Sequence, residues 1–247
     1  MIRGLYTAAS GMLAEAERID VTSNNLANAN TAGFKKDVAV TKDFANILIS
    51  RVNDGGEAPV IGGMGTGVLV DEVATTYTGG SIKATGNAFD LAIEGRGFFA
   101  VQTPQGLRYT RNGTFAKSTR NQLVTSDGYQ VLGENGPIAI NGNKMLIDEN
   151  GRVIVDNEVV GRLRMTEFAD EKQLSKEGSS LFAAAQGAQA QPATGSVIQG
   201  ALEMSNVNVV GEMVNLITNY RSYEINAKVV RSHDDLLGKA ANDIAKL

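Results

Sequence analysis

Residues 209–247 read VVGEMVNLITNYRSYEINAKVVRSHDDLLGKAANDIAKL, and the spacing of their apolar side chains decides the fold. Apolar residues recur at alternating intervals of four and three, which is typical of a helix that packs along a narrow seam on another helix. The residues that keep this spacing are Val209, Met213, Leu216, Tyr220, Tyr223, Ala227, Val230 and Leu237. The segment therefore predicts a long C-terminal helix that needs a partner helix.

The N-terminal segment shows the same spacing. Its seam positions are Leu5, Ala9, Met12, Ala16, Ile19 and Leu26. The pattern stops at the Asn- and Gly-rich residues 28–33, which tolerate a left-handed backbone and so favour a helix end. We expect an N-terminal helix within residues 1–34 that packs together with the C-terminal helix.

The spacing leaves open whether the two helices pair within one chain or between chains. Small Ala residues in the seam would permit the close approach of several helices. The amides of Asn24, Asn25 and Asn28 lie at the predicted end of the first helix. We expect them to fix the register of the helices, because buried amides tolerate few alternative hydrogen-bond partners.

The middle of the chain predicts strands. Between residues 68 and 169, short runs rich in Val, Thr and Phe alternate with Gly-containing turn sequences such as Asn112-Gly113 and Asn150-Gly151. Residues 35–67 are expected to form a flexible or extended connector, residues 170–200 a return linker, and residues 201–247 the C-terminal helix. The predicted fold class is α+β, with coiled-coil-type terminal helices packing together and a central irregular all-β domain.

The composition offers little for catalysis. The chain has no Cys, one His and a formal net charge of -4, so it has no thiolate nucleophile, no disulfide and no basic footprint for nucleic acid. His233 lies beside two aspartates, but neighbouring helical residues point in different directions, which favours a polar helix contact over a general base. The Gly-rich residues 62–67 lack the Lys-Ser or Lys-Thr of a phosphate-binding loop. We expect no catalytic, cofactor-binding or metal-binding residues.

The N-terminal residues 4–14 are only mildly apolar, and their helical spacing continues without a break beyond Ile19. A secretory signal peptide is more apolar and stops at a cleavage site. We therefore expect no cleaved signal peptide, and no apolar run is long enough for a transmembrane helix.

Several motifs carry a family resemblance. SNNLANANTAGFK at residues 23–35 resembles the N-terminal signature of the flagellar rod, hook and hook-associated proteins. EMSNVNVVGEMV at residues 203–214 resembles their C-terminal signature, and NAFDLAIEG at residues 87–95 resembles their central β domain. The three motifs occur in the family's order and span most of the chain.

This resemblance implies a structural subunit of the flagellar basal-body rod, not an enzyme and without cofactors. Such subunits polymerise through their terminal helices into a hollow axial tube that transmits torque in the periplasm. The implied partners are copies of itself, other rod proteins and the flagellar type III export apparatus. Residues 133–140 and 160–164 favour the proximal-rod F type, whereas residues 204–213 and 223–226 favour the distal-rod G type; we favour the F type. A hook-type axial protein is a further alternative.

A different class of protein also fits the helices and strands. In that alternative, the chain is a secreted β-domain binding module, and its terminal helices form an intramolecular stalk. Truncation of both termini would preserve the function of such a module but would abolish that of a rod subunit.

Overall fold

The structure, a computed structural model, describes residues 2–44, 46–50, 60–142, 144–178 and 180–244. In chain order, one helix lies near each end and a long series of strands lies between them, which confirms the α+β prediction. The chain forms two compact units. The helical unit comprises Met1–Leu26, Asp37–Ala74 and Val209–Leu247, and the β unit comprises Ala27–Lys36 and Thr75–Asn208.

Two helices and four strands account for the regular structure of the helical unit. They are α1 (Ile2–Ala27), β1 (Asp37–Asp43), β2 (Asn46–Ser50), β3 (Val60–Gly65), β4 (Val68–Thr75) and, at the far end of the chain, α2 (Val209–Ile244). Strand β1 pairs with β4, and β2 pairs with β3 in an antiparallel hairpin. The described part of the expected connector at residues 35–67 thus contains strands, while residues 45 and 51–59 of that prediction lie outside the described residues.

The helices α1 and α2 contact each other within the chain. A β-carbon added at Gly4 would lie 2.8 Å from His233 Nε2, and one added at Gly11 would lie 2.9 Å from Asn226 Nδ2. Farther along α1, Asn219 Nδ2 donates a hydrogen bond of 3.5 Å to Thr22 Oγ1. Because the residue number falls on α2 as it rises on α1, the helices are antiparallel.

The β unit contains seventeen strands of its own among the described residues. The first eight are β5 (Ile82–Ala84), β6 (Leu91–Glu94), β7 (Phe98–Thr103), β8 (Gly106–Thr110), β9 (Phe115–Lys117), β10 (Leu123–Thr125), β11 (Gln130–Gly133) and β12 (Gly136–Pro137). The others are β13 (Met145–Ile147), β14 (Arg152–Val155), β15 (Glu158–Arg162), β16 (Met165–Phe168), β17 (Leu174–Glu177), β18 (Leu181–Ala184), β19 (Ala190–Pro192), β20 (Ser196–Gln199) and β21 (Ala201–Glu203). A short 3-10 helix at Glu171–Gln173 precedes β17.

A ten-stranded sheet forms the centre of the β unit. Its main path runs β17-β18-β8-β7-β11-β10-β9, with β12 beside β11 and with β16 between β7 and β19. Strands β13, β14 and β15 form a separate antiparallel sheet, while β20 pairs with β6 and β21 with β5. Residues 170–200, expected as a return linker, therefore supply strands to the sheets.

Two clusters of buried side chains hold these sheets together. In the larger cluster, Phe99 meets Phe115 edge to face at a ring distance of 5.2 Å. In the smaller one, Phe98, Tyr109, Phe168 and Phe182 pack around one another. Phe182 comes from the expected linker, and its full burial explains why that segment is ordered as strand.

Two of the expected Gly-containing turns are present, whereas Asn112-Gly113 lies in irregular chain between β8 and β9 and forms no turn. Gly128 and Gly151 adopt φ values of 85° and 76°, a region that is strained for residues with a β-carbon. Gly128 lies between β10 and β11, and Gly151 lies between β13 and β14. These turns set the short strand lengths that the sequence indicated.

The close approach at Gly11 generates a first prediction. Gly11→Leu places a large side chain where Asn226 now lies, so we expect it to separate α1 from α2 and to lower helical content, measured by circular dichroism. Gly238→Ala is the matched control, because nothing lies within 4 Å of that position and alanine favours a helix by up to about 1 kcal/mol. Unchanged helicity and thermal stability in Gly11→Leu would contradict the observed pairing.

Candidate assembly site

The predicted seam of α1 lies beside the α2 contact. All six seam residues are half-buried: Leu5, Ala9, Met12, Ala16, Ile19 and Leu26. The α1 residues Gly4, Gly11 and Thr22, which lie outside this seam, contact α2. The apolar seam thus remains partly accessible while α1 and α2 are paired.

The predicted seam of α2, unlike that of α1, contains both half-buried and exposed residues. Leu216, Tyr223, Ala227 and Val230 are half-buried. The remaining seam residues are exposed: Val209, Met213, Tyr220 and Leu237. Contact of these residues with another chain stays a prediction.

A polar column on α2 escaped the sequence analysis. Glu212, Asn219, Asn226 and His233 are spaced seven residues apart and lie on one face of the helix. Asn219 contacts Thr22 of α1, Asn226 contacts Gly11, and His233 contacts Gly4. Glu212 is buried. The missed signal was the equal spacing of seven between Gly4 and Gly11, which matches that between Asn226 and His233.

An exposed apolar stripe runs along another face of α2. Met213, Ile217 and Tyr220 are 48%, 54% and 57% exposed, and their spacing of four and three places them on one side of the helix. Val210 and Val214 widen the stripe near the start of α2. Contiguous exposed apolar surface of this kind marks an interaction site.

The amides predicted to fix the register have different surroundings. Asn25 is buried, donates from Nδ2 to the Asp37 carbonyl at 2.7 Å and accepts from the Asp37 N–H at 2.9 Å. Asn28 accepts at Oδ1 from the Thr31 hydroxyl in the turn after α1. Asn24 is exposed. Asn25 therefore fixes the start of β1 against α1 of the same chain.

A buried ion cluster joins the two signature segments inside the β unit. Glu203, on β21, lies between Lys35 Nζ at 2.6 Å and Arg111 Nη1 at 3.1 Å. All three side chains are almost completely buried. The Glu203 carboxylate also accepts from the Gly80 N–H at 2.9 Å, and its carbonyl accepts from the Gly33 N–H at 2.7 Å.

The two cations have further partners that hold them in place. Lys35 Nζ donates to the Thr78 carbonyl at 2.9 Å. Arg111 donates to the carbonyls of Ile93 and Gly95 at 3.2 and 2.6 Å. Its guanidinium carbon also lies 5.4 Å from the centre of the Phe98 ring.

Burial dominates the electrostatics of this cluster. It lowers the pKa of Lys35 below the ordinary lysine value, and the attraction of Glu203 only partly offsets this effect. Burial likewise lowers the pKa of Arg111, again against the opposing effect of Glu203. One carboxylate thus compensates two buried cations.

A second layer of contacts surrounds the cluster. Asn206 accepts from the Lys36 N–H at 2.8 Å and donates to the carbonyls of Thr76 and Thr78. Lys176 Nζ donates to the Lys35 carbonyl at 2.7 Å and lies 3.7 Å from the centre of the Phe34 ring. The sequence analysis quoted these signature residues for their resemblance but assigned no role to Lys35, Arg111 or Glu203.

The described residues form no group of three or more His, Asp or Glu side chains placed to hold a metal ion. Within the same residues, no helix has both the length and the apolar character needed to cross a membrane. His233 packs against Gly4 of α1 in the helix pair.

Three stretches of the chain match known protein families. Residues 5–35 match the flagella basal body rod protein family. Residues 92–155 match the D1 domain of the flagellar hook protein FlgE/F/G family, and residues 198–243 match the C-terminal family of the flagellar basal body rod FlgEFG proteins. The Lys35 and Glu203 positions lie within the first and last of these matches.

Full-length relatives agree with the family matches. The chain is 36% identical to the flagellar basal-body rod protein FlgG of Borreliella burgdorferi, across 98% of each chain. It is 35% identical to FlgG of Bacillus subtilis, across 98% of this chain and 99% of that one, and 34% identical to the B. subtilis flagellar hook-basal body complex protein FlhO, across the whole of both.

The chain belongs to the flagellar basal-body rod protein family. It is a structural rod protein, as the signature motifs implied, and the family is a structural one. The preference for the proximal F type finds no support in these relatives, because most of them carry the name FlgG.

The ion cluster of the rod protein generates a second prediction. Glu203→Gln leaves two buried cations uncompensated, so we expect it to lower the free energy of unfolding by about 3–5 kcal/mol. Lys35→Met should cost less, because burial already disfavours the charged lysine and the Glu203–Arg111 pair remains. Urea denaturation of the full chain, followed by circular dichroism, measures both.

The exposed Arg108–Glu177 pair provides the control. Glu177→Gln should change the free energy of unfolding by less than about 1 kcal/mol. A larger loss in Lys35→Met than in Glu203→Gln, or equal losses in Glu203→Gln and Glu177→Gln, would show that Glu203 is not the central charge.

Proposed function

We propose that this rod protein polymerises with copies of itself and with other rod proteins through its terminal helices. The observation that carries the proposal is the exposed apolar stripe of Met213, Ile217 and Tyr220 on α2. The polar column of α2, in contrast, already has a partner, because it contacts α1 of the same chain. The stripe is therefore the part of the helix pair that remains available to another subunit.

The energy of such a contact is modest for each subunit and large for a tube. At about 25 cal/mol per Å² of apolar surface, burial of the exposed part of each stripe residue contributes roughly 1 kcal/mol. Each subunit in a closed tube has several neighbours, so these contributions add up around it. Stiffness sufficient to transmit torque follows from many such contacts rather than from one strong contact.

The predicted seam residues take part in this proposal according to their exposure. Val209, Met213 and Tyr220 would contact a neighbouring chain directly, whereas Leu216, Tyr223 and Val230 support the helix pair from within. The half-buried α1 residues Leu5, Ala9, Met12, Ala16 and Ile19 would become fully buried in the tube. Asn25 would act within the subunit.

The third prediction tests the stripe. Met213→Asp combined with Tyr220→Asp places charges in the proposed contact, so we expect the full-length variant to remain monomeric at concentrations where the unmodified chain forms polymers. Analytical ultracentrifugation and electron microscopy measure this, and circular dichroism confirms that the variant keeps its strands.

Val159→Asp is the matched control, because Val159 is 64% exposed on β15 of the β unit. We expect this variant to polymerise normally. Normal polymers from the double variant, or equal loss in the control, would refute polymerisation through α2. The alternative of a secreted binding module on an intramolecular stalk predicts no polymer from any of the three proteins.

We further infer that the chain takes a distal-rod position. The FlgG names of the relatives support this, as do residues 204–213 and 223–226, which already resembled the G type.

We also propose that the subunit reaches the rod through the flagellar export apparatus with its N-terminal helix retained. That helix provides Gly4 and Gly11 to the pairing with α2, so its removal would leave α2 without its partner.

The fourth prediction addresses position and export together. The chain should restore motility to a strain that lacks its distal rod protein and should fail in a strain that lacks its proximal F-type protein. The subunit recovered from the restored basal bodies should have an intact mass that includes residues 2–27. Restoration of the F-type strain instead would reverse the assigned position, and a shortened N-terminus would refute export without cleavage.

A further inference from the structure

An open groove of about 570 Å³ lies beside α1 in the helical unit. Tyr6, Ser10 and Leu13 form its helical wall, while Phe44 and Thr66 lie opposite. Leu13 is 74% exposed, and Tyr6 and Phe44 are exposed as well. Among the residues that the structure describes, nothing covers the apolar side chains of Tyr6, Leu13 and Phe44 in this groove.

The chain's own α2 lies on a different side of α1. Tyr6 and Leu13 each follow by two positions the glycines, Gly4 and Gly11, that contact α2. Two positions correspond to about 200° around a helix, so Tyr6 and Leu13 face nearly away from α2. Gly4, which contacts α2, borders the groove at its edge. As long as the intrachain pairing persists, the stripe of the same chain cannot occupy the groove.

We propose that this groove receives the Met213–Tyr220 stripe of a second copy of the chain. The inference rests on the proposed polymerisation and names the surface that receives the stripe. A groove and a stripe on different faces of one subunit form a heterologous, head-to-tail contact. Contacts of this type build rings or open helical assemblies, as a rod requires, whereas a self-complementary contact stops at a dimer.

The charges at the ends of the two surfaces select the direction of docking. Arg3 lies at one end of the groove, and the exposed Glu17 lies on α1 beyond the other end. Glu224 is exposed one turn after Tyr220, at the end of the stripe. An antiparallel α2 brings Glu224 to Arg3, while a parallel one brings it toward Glu17, so charge complementarity favours the antiparallel arrangement.

The lengths of the surfaces agree with this arrangement. From Arg3 to Leu13 and from Met213 to Glu224 the helices advance by ten and eleven residues, or about 15 Å each at 1.5 Å per residue. Antiparallel docking then pairs Arg3 with Glu224 and Leu13 with Met213, and it places Tyr220 near Tyr6. Arg3 and Glu224 form no ion pair within the described chain, so both charges are available to a neighbour.

The absence of cysteine from the sequence permits a direct test. Full-length Leu13→Cys and Met213→Cys chains are mixed, allowed to polymerise and oxidised gently, and the disulfide-linked dimers are identified by mass spectrometry. We expect the 13–213 link to exceed the mismatched pair, Leu13→Cys with Glu224→Cys, several-fold. The mismatched cysteines would lie about 15 Å apart in the proposed contact.

Charge reversal provides an independent measurement. Arg3→Glu and Glu224→Arg should each raise the concentration needed for polymerisation, on the order of tenfold, because each places like charges together. The double variant restores opposite charges and should recover most of the loss. Additive losses in the double variant would overturn the Arg3–Glu224 pairing.

The other outcomes separate this inference from the proposed function. Polymers in which most disulfides join position 13 to 13 or 213 to 213 would show that the groove is not the docking surface. The same holds if the 13–213 disulfide is no more frequent than the mismatched one. Either result would leave the proposed polymerisation itself intact. A mixture that forms no polymer under any condition overturns both. A dominant 13–213 link together with charge rescue establishes the heterologous contact.

Discussion

The carboxylate of Glu203 is the point on which the β unit of this rod protein depends. It compensates Lys35, which lies 168 residues away in sequence, and Arg111, which comes from the middle of the chain. The N-terminal and C-terminal signature segments therefore meet inside the β unit, and a single buried anion holds them there. Because an uncompensated buried charge costs several kcal/mol, this contact leaves few alternative arrangements for the entry and exit of the chain. It also explains why Lys35 and Asn206, at the inner edges of the two signatures, bind neighbours within the same unit.

The helices of the helical unit pair with each other and still expose apolar side chains. Within the chain, α1 and α2 meet through glycines and through Asn and His side chains, and Asn25 binds the backbone of Asp37. Much of the apolar surface of the helices is left toward the outside, at Leu13, Met213 and Tyr220, where its burial can stabilise a polymer. The paired helices thus keep exposed apolar surface that a neighbouring subunit could cover.

The sequence predicted those parts of the fold that local spacing controls. The heptad intervals located both helices, and the turn glycines located the short strands, because each depends on residues close together in the chain. The face of α2 that meets α1 was not predicted, because the search followed apolar residues, gave no role to Asn219 and Asn226, and treated His233 by itself. The Lys35–Glu203 pair was also beyond reach, since the meeting of β21 with residues 33–35 depends on the whole arrangement of strands. Phe182 shows the same limit: its burial needs β8 and β17 on either side, and its Ala- and Gln-rich surroundings gave no sign of them.

A rod needs a contact that repeats from subunit to subunit, and the proposed docking of the α2 stripe in the α1 groove would meet this requirement. Had the polar column and the apolar stripe occupied the same face of α2, the intrachain pairing would have consumed the surface needed for assembly. Because Glu212, Asn219 and Asn226 lie about a third of a turn from Met213 and Tyr220, both contacts can exist at once. On α1, the groove residues Tyr6 and Leu13 lie on the face nearly opposite to the one that pairs with α2. A subunit with one paired face, one donor stripe and one acceptor groove can join two neighbours while it keeps its own helices together, and this is the minimum that a head-to-tail polymer demands.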